Sequence, residues 1–430
     1  MIDFDIEDFV RKYMTRRPVS LLVEDFNSHA DELHKRIDGK RILVVGGAGT
    51  IGSNYIKAAL RSFAPKALYV ADIDENQLTE LTRELRAGEE YNVPEEYVTE
   101  PIDLGSPLFK KFFLASGPFD IVANFAARKH VRAERDVYSI EAMCETNVFM
   151  AKGLLDLLVA HPAEHFFCVS TDKAANPVNV MGATKKLMEE TIMAYSGQLK
   201  IATARFANVA FSNGSLPIGW LNRIAKRQPL SCPLGIRRFF VSPIESGELC
   251  LFASVMGQSG DIFYPKLDPD KDMIPFDAVV KDMLNYMGLG CRACSSSDEA
   301  KEAMRVFNAE KQRGREAEGS ENTNSATLLL CYSALKDYPC EFFGSDTSGE
   351  KAFEEFYTDT DNRDEQTYRN LGVVKNTKKR PVTEVEAIFA NLCAVFANPA
   401  STKADVVAVL KDYLPNFQHI EKGKSLDNRM

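Results

Sequence analysis

RILVVGGAGTIGS, residues 41–53, decides the fold. RILVV is a short β-branched apolar run, and Gly46, Gly49 and Gly52 follow it directly. SNYIKAALRSF, from residue 53, then carries an amphipathic helical pattern. A strand that turns through glycines into a helix permits a tight bend. It also brings backbone N–H groups against a pyrophosphate at the helix N-terminus. The turn assigned to a dinucleotide is therefore Gly46, Gly49, Thr50, Ile51 and Gly52, although its spacing is G-x-x-G-x-x-G rather than the commoner G-x-G-x-x-G.

Working outward, strands and helices alternate in the rhythm of a parallel sheet. ALYVAD (67–72), EYVTEPID (96–103), DIVANFAA (120–127), HFFCVST (165–171) and IATARFANV (201–209) read as strands. ENQLTELTRELRAG and the stretch 137–160 read as the helices between them. Consecutive apolar strands suit a sheet covered on both faces. The expected fold is α/β, a doubly wound parallel sheet of Rossmann type with a smaller mixed C-terminal lobe. Asp72 ends the second strand 20 residues after Gly52, where a carboxylate meets the adenosine ribose hydroxyls and repels a 2′-phosphate. No Arg or Lys follows in DIDENQ, so the cofactor read here is NAD rather than NADP. Asp103 closes the third strand, either within reach of an adenine or as a plain strand-end turn residue, and Ala126 at the fourth strand end passes under the cofactor. A helix cap formed by Asp72 or Asp74 is the alternative reading of that acidic turn.

The expected organisation is an N-terminal helical arm (1–38), an NAD-binding domain (39–208), an interleaved substrate lobe (209–360) and a helical tail (361–430). Within the lobe, 296–325 is a polar insertion, with a Ser296/Glu299 capping-box helix followed by a mobile loop in GREAEGSENTNS. The chain has 430 residues and a net charge of −9, which argues against a nucleic-acid partner. No apolar stretch is long enough to span a bilayer. Nine scattered cysteines fit reduced thiols in a cytoplasm. The lone Cys291-x-x-Cys294 lacks the second pair or histidine of a zinc site, so no metal is expected.

VSTDKAANPVNVMGATKK, residues 169–186, gathers a hydroxyl, a carboxylate and two amines at a strand end, where such folds collect their chemistry. A surface turn would hold similar letters. Together with GGAGTIGS, NFAARKHV, ETNV, RFANVAFSNGS, RRFF and SGEKAFEE, in that family's order over about 40–356, this stretch resembles the extended short-chain dehydrogenase/reductases. Within them it is similar to the polysaccharide-biosynthesis 4,6-dehydratases that act on UDP-N-acetylglucosamine. TRRPVSLL before DGKRILVVGG resembles that family's lead-in as well.

The resemblance implies roles. Lys173 would be the base at sugar C5, Asp172 the acid for the C6 hydroxyl, Thr171 a partner of the C4 oxygen, and Lys185 an anchor of the cofactor ribose. The superfamily's usual catalytic Tyr is replaced by Met181, which cannot carry a proton. Dehydratases with Met there resemble those that retain configuration at C5, and Asp172 would then also take the C4 proton. Lys129, His130, Asn208, Ser212, Asn213, Ser215, Arg238, Lys266 and Glu350 are implied substrate contacts. The implied product is a UDP-4-keto-6-deoxy-hexosamine. A GDP-linked hexosamine substrate, a C4 epimerase or reductase, and a catalytically silent NAD-binding regulator remain alternatives. The arm and tail are expected contact elements of a homo-oligomer.

Overall fold

The computed structural model describes residues 4–131, 134–318, 337–344, 353, 355–375, 377 and 379–420. Nine strands form the main sheet: β1 (Arg41–Val45), β2 (Ala67–Asp72), β3 (Glu96–Pro101), β4 (Ile121–Asn124), β5 (His165–Val169), β6 (Ile201–Ala204), β7 (Asp261–Pro265), β8 (Asn362–Asp364) and β9 (Leu371–Lys375). Their order is β8-β9-β7-β6-β5-β4-β1-β2-β3. Pairings from β3 across to β7 are parallel, and β9 and β8 close the edge antiparallel. The chain reverses direction of winding between β1 and β4, which opens a crevice at their carboxyl ends. Val44, Ala123, Phe167 and Ile201 are fully buried, as helices on both sheet faces require.

Two small three-stranded sheets build the second lobe. Asn208–Val209, Arg237–Val241 and Met273–Pro275 form one, and Leu230–Leu234, Asp337–Gly344 and Gly290–Cys294 the other. Trp220 is buried in this lobe and donates its indole N–H to Ser231 O at 2.9 Å. Phe9, Val10 and Met14 of the arm join the same apolar core, and Arg17 forks onto Glu245 with two 2.7 Å bonds.

Several elements differ from the sequence reading. β8 and β9 occupy the start of the expected tail, whose helices are Val382–Ala397 and Lys403–Tyr413. These two helices pack on their own chain, in one apolar cluster with Ile140, Met143, Val180 and Met181. The insertion helix runs Ser297–Glu318, so the first residues of the expected loop are helical. Its Ala, Arg and Glu residues are good helix formers, and polarity alone does not make a loop. The rest of that loop and the strand-like ATLLLCYS at 326–333 lie outside the described residues. No helix among the described residues is long and apolar enough to cross a membrane.

Candidate active site

The glycine turn is shaped by backbone crowding. Gly46 has φ +70°, and a Cβ there would stand 2.5 Å from Ala126 N. Gly52 is equally constrained, since its Cβ would lie 2.4 Å from Gly46 O. Gly49 caps the helix Thr50–Ser62 without any side-chain hydrogen bond, so the first N–H groups of that helix have no side-chain cap. Thr50, Ile51 and Gly52 are its first three residues. An uncapped helix start beside a glycine bend is a cradle for a pyrophosphate.

Asp72 sits over this turn. Its Oδ2 accepts from Ala48 N at 2.9 Å and its Oδ1 from Asp74 N at 3.0 Å. The helix cap belongs to Asp74, which accepts from Gln77 N at 3.0 Å. Asp103 is exposed, with Oδ1 held by Gly105 N at 2.8 Å in its own turn. Ala126 N donates to Asn124 Oδ1 at 3.0 Å, which fixes the β4 end against Gly46.

Beyond β5, a turn at Asp172–Ala174 leads to the helix Val180–Ala194, which Asn179 caps by accepting from Gly182 N at 2.7 Å. The turn brings three expected residues together. Thr171 Oγ1 donates to Asp172 Oδ1 at 2.8 Å, Lys173 N donates to the same oxygen at 2.8 Å, and Lys173 Nζ at 3.1 Å. Asp172 is 3% exposed, and among the described residues all its side-chain bonds fall on Oδ1. No side-chain hydrogen bond to Oδ2 is seen among the described residues. Met181 is buried in apolar surroundings. Lys185, one turn further on, is buried and donates to Val169 O at 2.9 Å. Burial holds its amine below the usual lysine range.

Asn147, on the long helix, fixes backbone beside this turn. The long helix 137–160 is interrupted by a π-helical turn at Glu145–Phe149, and such turns re-aim side chains. Asn147 Oδ1 accepts from Arg128 N at 2.8 Å, while its Nδ2 donates to Arg128 O and Thr184 Oγ1, each at 3.0 Å. It thereby locks the loop bearing Lys129 and His130, both exposed, to the catalytic helix.

The 212–215 loop closes the crevice. Asn213 N donates to Thr50 Oγ1 at 3.0 Å, and a Cβ on Gly214 (φ +72°) would meet the His130 ring at 2.5 Å. Ser215 Oγ is buried with no hydrogen-bond partner among the described residues, at the start of the helix Leu216–Ala225. Ser212 N donates to Val209 O in the same loop. Asn208 Nδ2 reaches Phe239 O at 3.5 Å, and Arg238 is buried with Nη1 on Arg237 O at 2.9 Å. Lys266 is not brought to the crevice as a free cation. Its Nζ donates to Glu365 O at 2.6 Å, Tyr368 O at 2.7 Å and Arg369 O at 3.4 Å, so it holds the 365–369 loop. Glu350 and Lys351 lie outside the described residues.

Beneath the cluster, Glu189 links three elements. It accepts from Ser170 Oγ at 2.6 Å and takes a forked pair from Arg205, Nε at 2.8 Å and Nη2 at 2.7 Å. Burial works to raise this carboxyl, but the Arg205 guanidinium overrides it and holds the pKa below the usual glutamate range.

Comparisons with known proteins place the chain among similar sequences and folds. The sequence profile of the family described as "Polysaccharide biosynthesis protein" matches residues 42–306. An uncharacterized membrane protein of Methanocaldococcus jannaschii is 34% identical over 255 residues, covering 58% of this chain and 73% of that protein. A UDP-N-acetylglucosamine 4,6-dehydratase (inverting) of Campylobacter jejuni is 25% identical over 264 residues, 60% of this chain and 75% of the relative. The X-ray structure of Pen from Bacillus thuringiensis aligns with a TM-score of 0.59 at 20% identity, covering 83% of this chain and 98% of that one. At that identity the likeness speaks for the fold alone.

Proposed function

This chain belongs to the polysaccharide biosynthesis protein family of extended short-chain dehydrogenase/reductases, and within it we propose an NAD-dependent nucleotide-sugar 4,6-dehydratase. The substrate class proposed is a UDP-linked N-acetylhexosamine, UDP-N-acetylglucosamine first. The observation that carries this reading is the hydroxyl–carboxylate–amine cluster of Thr171, Asp172 and Lys173 at the end of β5. A carboxylate with one uncommitted oxygen beside an amine supplies the acid and base that water loss needs, and C4 epimerisation needs neither for a leaving hydroxyl.

Gly46, Gly49, Thr50, Ile51 and Gly52 would hold the NAD pyrophosphate, Asp72 the adenosine ribose and Lys185 the nicotinamide ribose. Held there, NAD would supply the hydride acceptor for sugar C4 and the hydride donor for C6. Asp172 takes the C4 hydroxyl proton on Oδ2, while Thr171 holds the C4 oxygen. Its neutralisation removes the carboxylate 3.1 Å from Lys173 Nζ, so the ammonium sheds one proton to solvent and the free amine then takes the C5 proton. Asp172 then delivers its proton to the departing C6 hydroxyl, which leaves as water. Lys173 hands its proton back to C5 from the same side, the retained configuration. Ser215 Oγ, buried and without a partner among the described residues, suits a hydroxyl or phosphate oxygen of the substrate. Met181 takes no part in proton transfer.

The test is incubation of the purified chain with UDP-N-acetylglucosamine and with a GDP-linked hexosamine, followed by product mass and carbonyl detection. The expected result is a keto sugar lighter by one water from the UDP substrate. An isomer of unchanged mass means an epimerase, and no product from either means a silent NAD-binding protein. The configuration at C5 separates the proposed retention from the inverting outcome named for the Campylobacter relative.

A further inference from the structure

The family profile ends at residue 306, yet the chain's last described segment returns to the catalytic stretch. Gln418 N donates to Pro177 O at 3.1 Å and Ile420 N to Val178 O at 3.0 Å. These carbonyls lie between Lys173 and Met181. A second link passes through Glu134, whose side chain is 8% exposed. Glu134 Oε2 accepts from Val180 N at 2.7 Å, the first residue of the catalytic helix. Its other oxygen meets His419 Nε2 and, at 3.4 Å, Lys403 Nζ. Lys403 also donates to Glu134 O at 3.2 Å. A third link is Arg380, which pairs with Glu190 on the catalytic helix and with Glu384 on the tail, and donates to Tyr413 O.

We propose that residues 403–420 are a clamp that positions the catalytic turn, with Glu134 as its node. The proposal rests on the assignment of Asp172 and Lys173 to turnover. Glu134 lies on the chain just past Lys129 and His130, so one carboxylate joins three parts: the loop after β4, the start of the catalytic helix and the tail. Displacement of reacting groups by an ångström costs on the order of 100-fold in rate, so a clamp of this kind acts on kcat rather than on substrate affinity. Glu134 and His419 are positioning residues, acting through the backbone of 177–180.

Glu134→Ala, Glu134→Gln and His419→Ala in the full chain, with Lys411→Ala on the tail helix as control, separate this role from general stabilisation. Amide hydrogen exchange is followed over 172–180 and over β1, and kcat and KM are measured on UDP-N-acetylglucosamine. Glu134→Ala and His419→Ala should speed exchange over 172–180 and leave β1 protected. They should lower kcat on the order of 10- to 100-fold with KM and bound NAD unchanged. Glu134→Gln keeps an acceptor for Val180 N–H and should recover most of the protection and most of kcat. Unchanged exchange over 172–180 in both Glu134→Ala and His419→Ala overturns the clamp, as does an equal loss at β1. If the unmodified chain yields no keto sugar, the dehydratase reading fails, while the exchange comparison still decides the clamp.

Discussion

Arg205→Met removes the cation that the buried Glu189 carboxylate depends on. Both side chains are 1% exposed and share two bonds of 2.7–2.8 Å. Breaking one side of such a pair costs about 3–5 kcal/mol, mostly as the penalty of an unpaired buried charge. The double variant Arg205→Met/Glu189→Met removes both charges and should cost clearly less than the sum of the single changes. Urea denaturation at neutral pH measures all three. The pH dependence follows from the depressed Glu189 pKa, whose contribution is complete above the ordinary glutamate range and fades as pH falls through the folded value. In Arg205→Met only Lys186, 3.8 Å away, and the Ser170 hydroxyl still oppose burial, so the carboxyl pKa rises and the penalty lessens in acid. The gap between the two proteins should therefore shrink on acidification. A neutral-pH cost within about 1 kcal/mol, or a gap that widens in acid, would refute this account of the pair.

Three further outcomes are expected. Asp72→Ala should narrow the preference for NAD over NADP, measured by titration of the two cofactors; equal affinity in the unmodified chain would remove Asp72 from the ribose site. Met181→Ala should lower stability by about 2–5 kcal/mol, as large-to-small changes in a core do, yet spare most turnover. Asp172→Asn should fold and bind NAD but make no keto sugar, because an amide supplies neither acid nor base; full activity there would move the proton chemistry elsewhere.

The strands were legible because β1, β2 and β5 are unbroken apolar runs, and burial on both sheet faces leaves little other use for such runs. The glycine turn was legible from its position between a strand and a helix. Periodicity over 137–160 could not show the π-helical turn that aims Asn147 at Arg128 and Thr184, since one inserted residue barely disturbs an apolar stripe. The sequence cannot tell the implied substrate contact at Lys266 from a structural one, because a cation at a strand end looks the same whether it meets an anion or carbonyls. The carbonyls of Glu365, Tyr368 and Arg369 come from a loop about a hundred residues away. Glu134 gave no signal at all. It sits in RAERD, an ordinary charged run, and its partners Val180, Lys403 and His419 are brought to it only by the folded chain.

The central claim is that Asp172 and Lys173 carry a dehydration in which hydride moves within one substrate molecule. It is tested most directly by turnover of UDP-N-acetylglucosamine labelled with deuterium at C4, together with the unlabelled sugar in heavy water, and analysis of the product by mass and NMR. The account predicts that the C4 label reappears at C6, that solvent deuterium enters at C5, and that Lys173→Ala abolishes the C5 incorporation. A C4 label lost fully to solvent, or a product that retains its C6 hydroxyl, would contradict it.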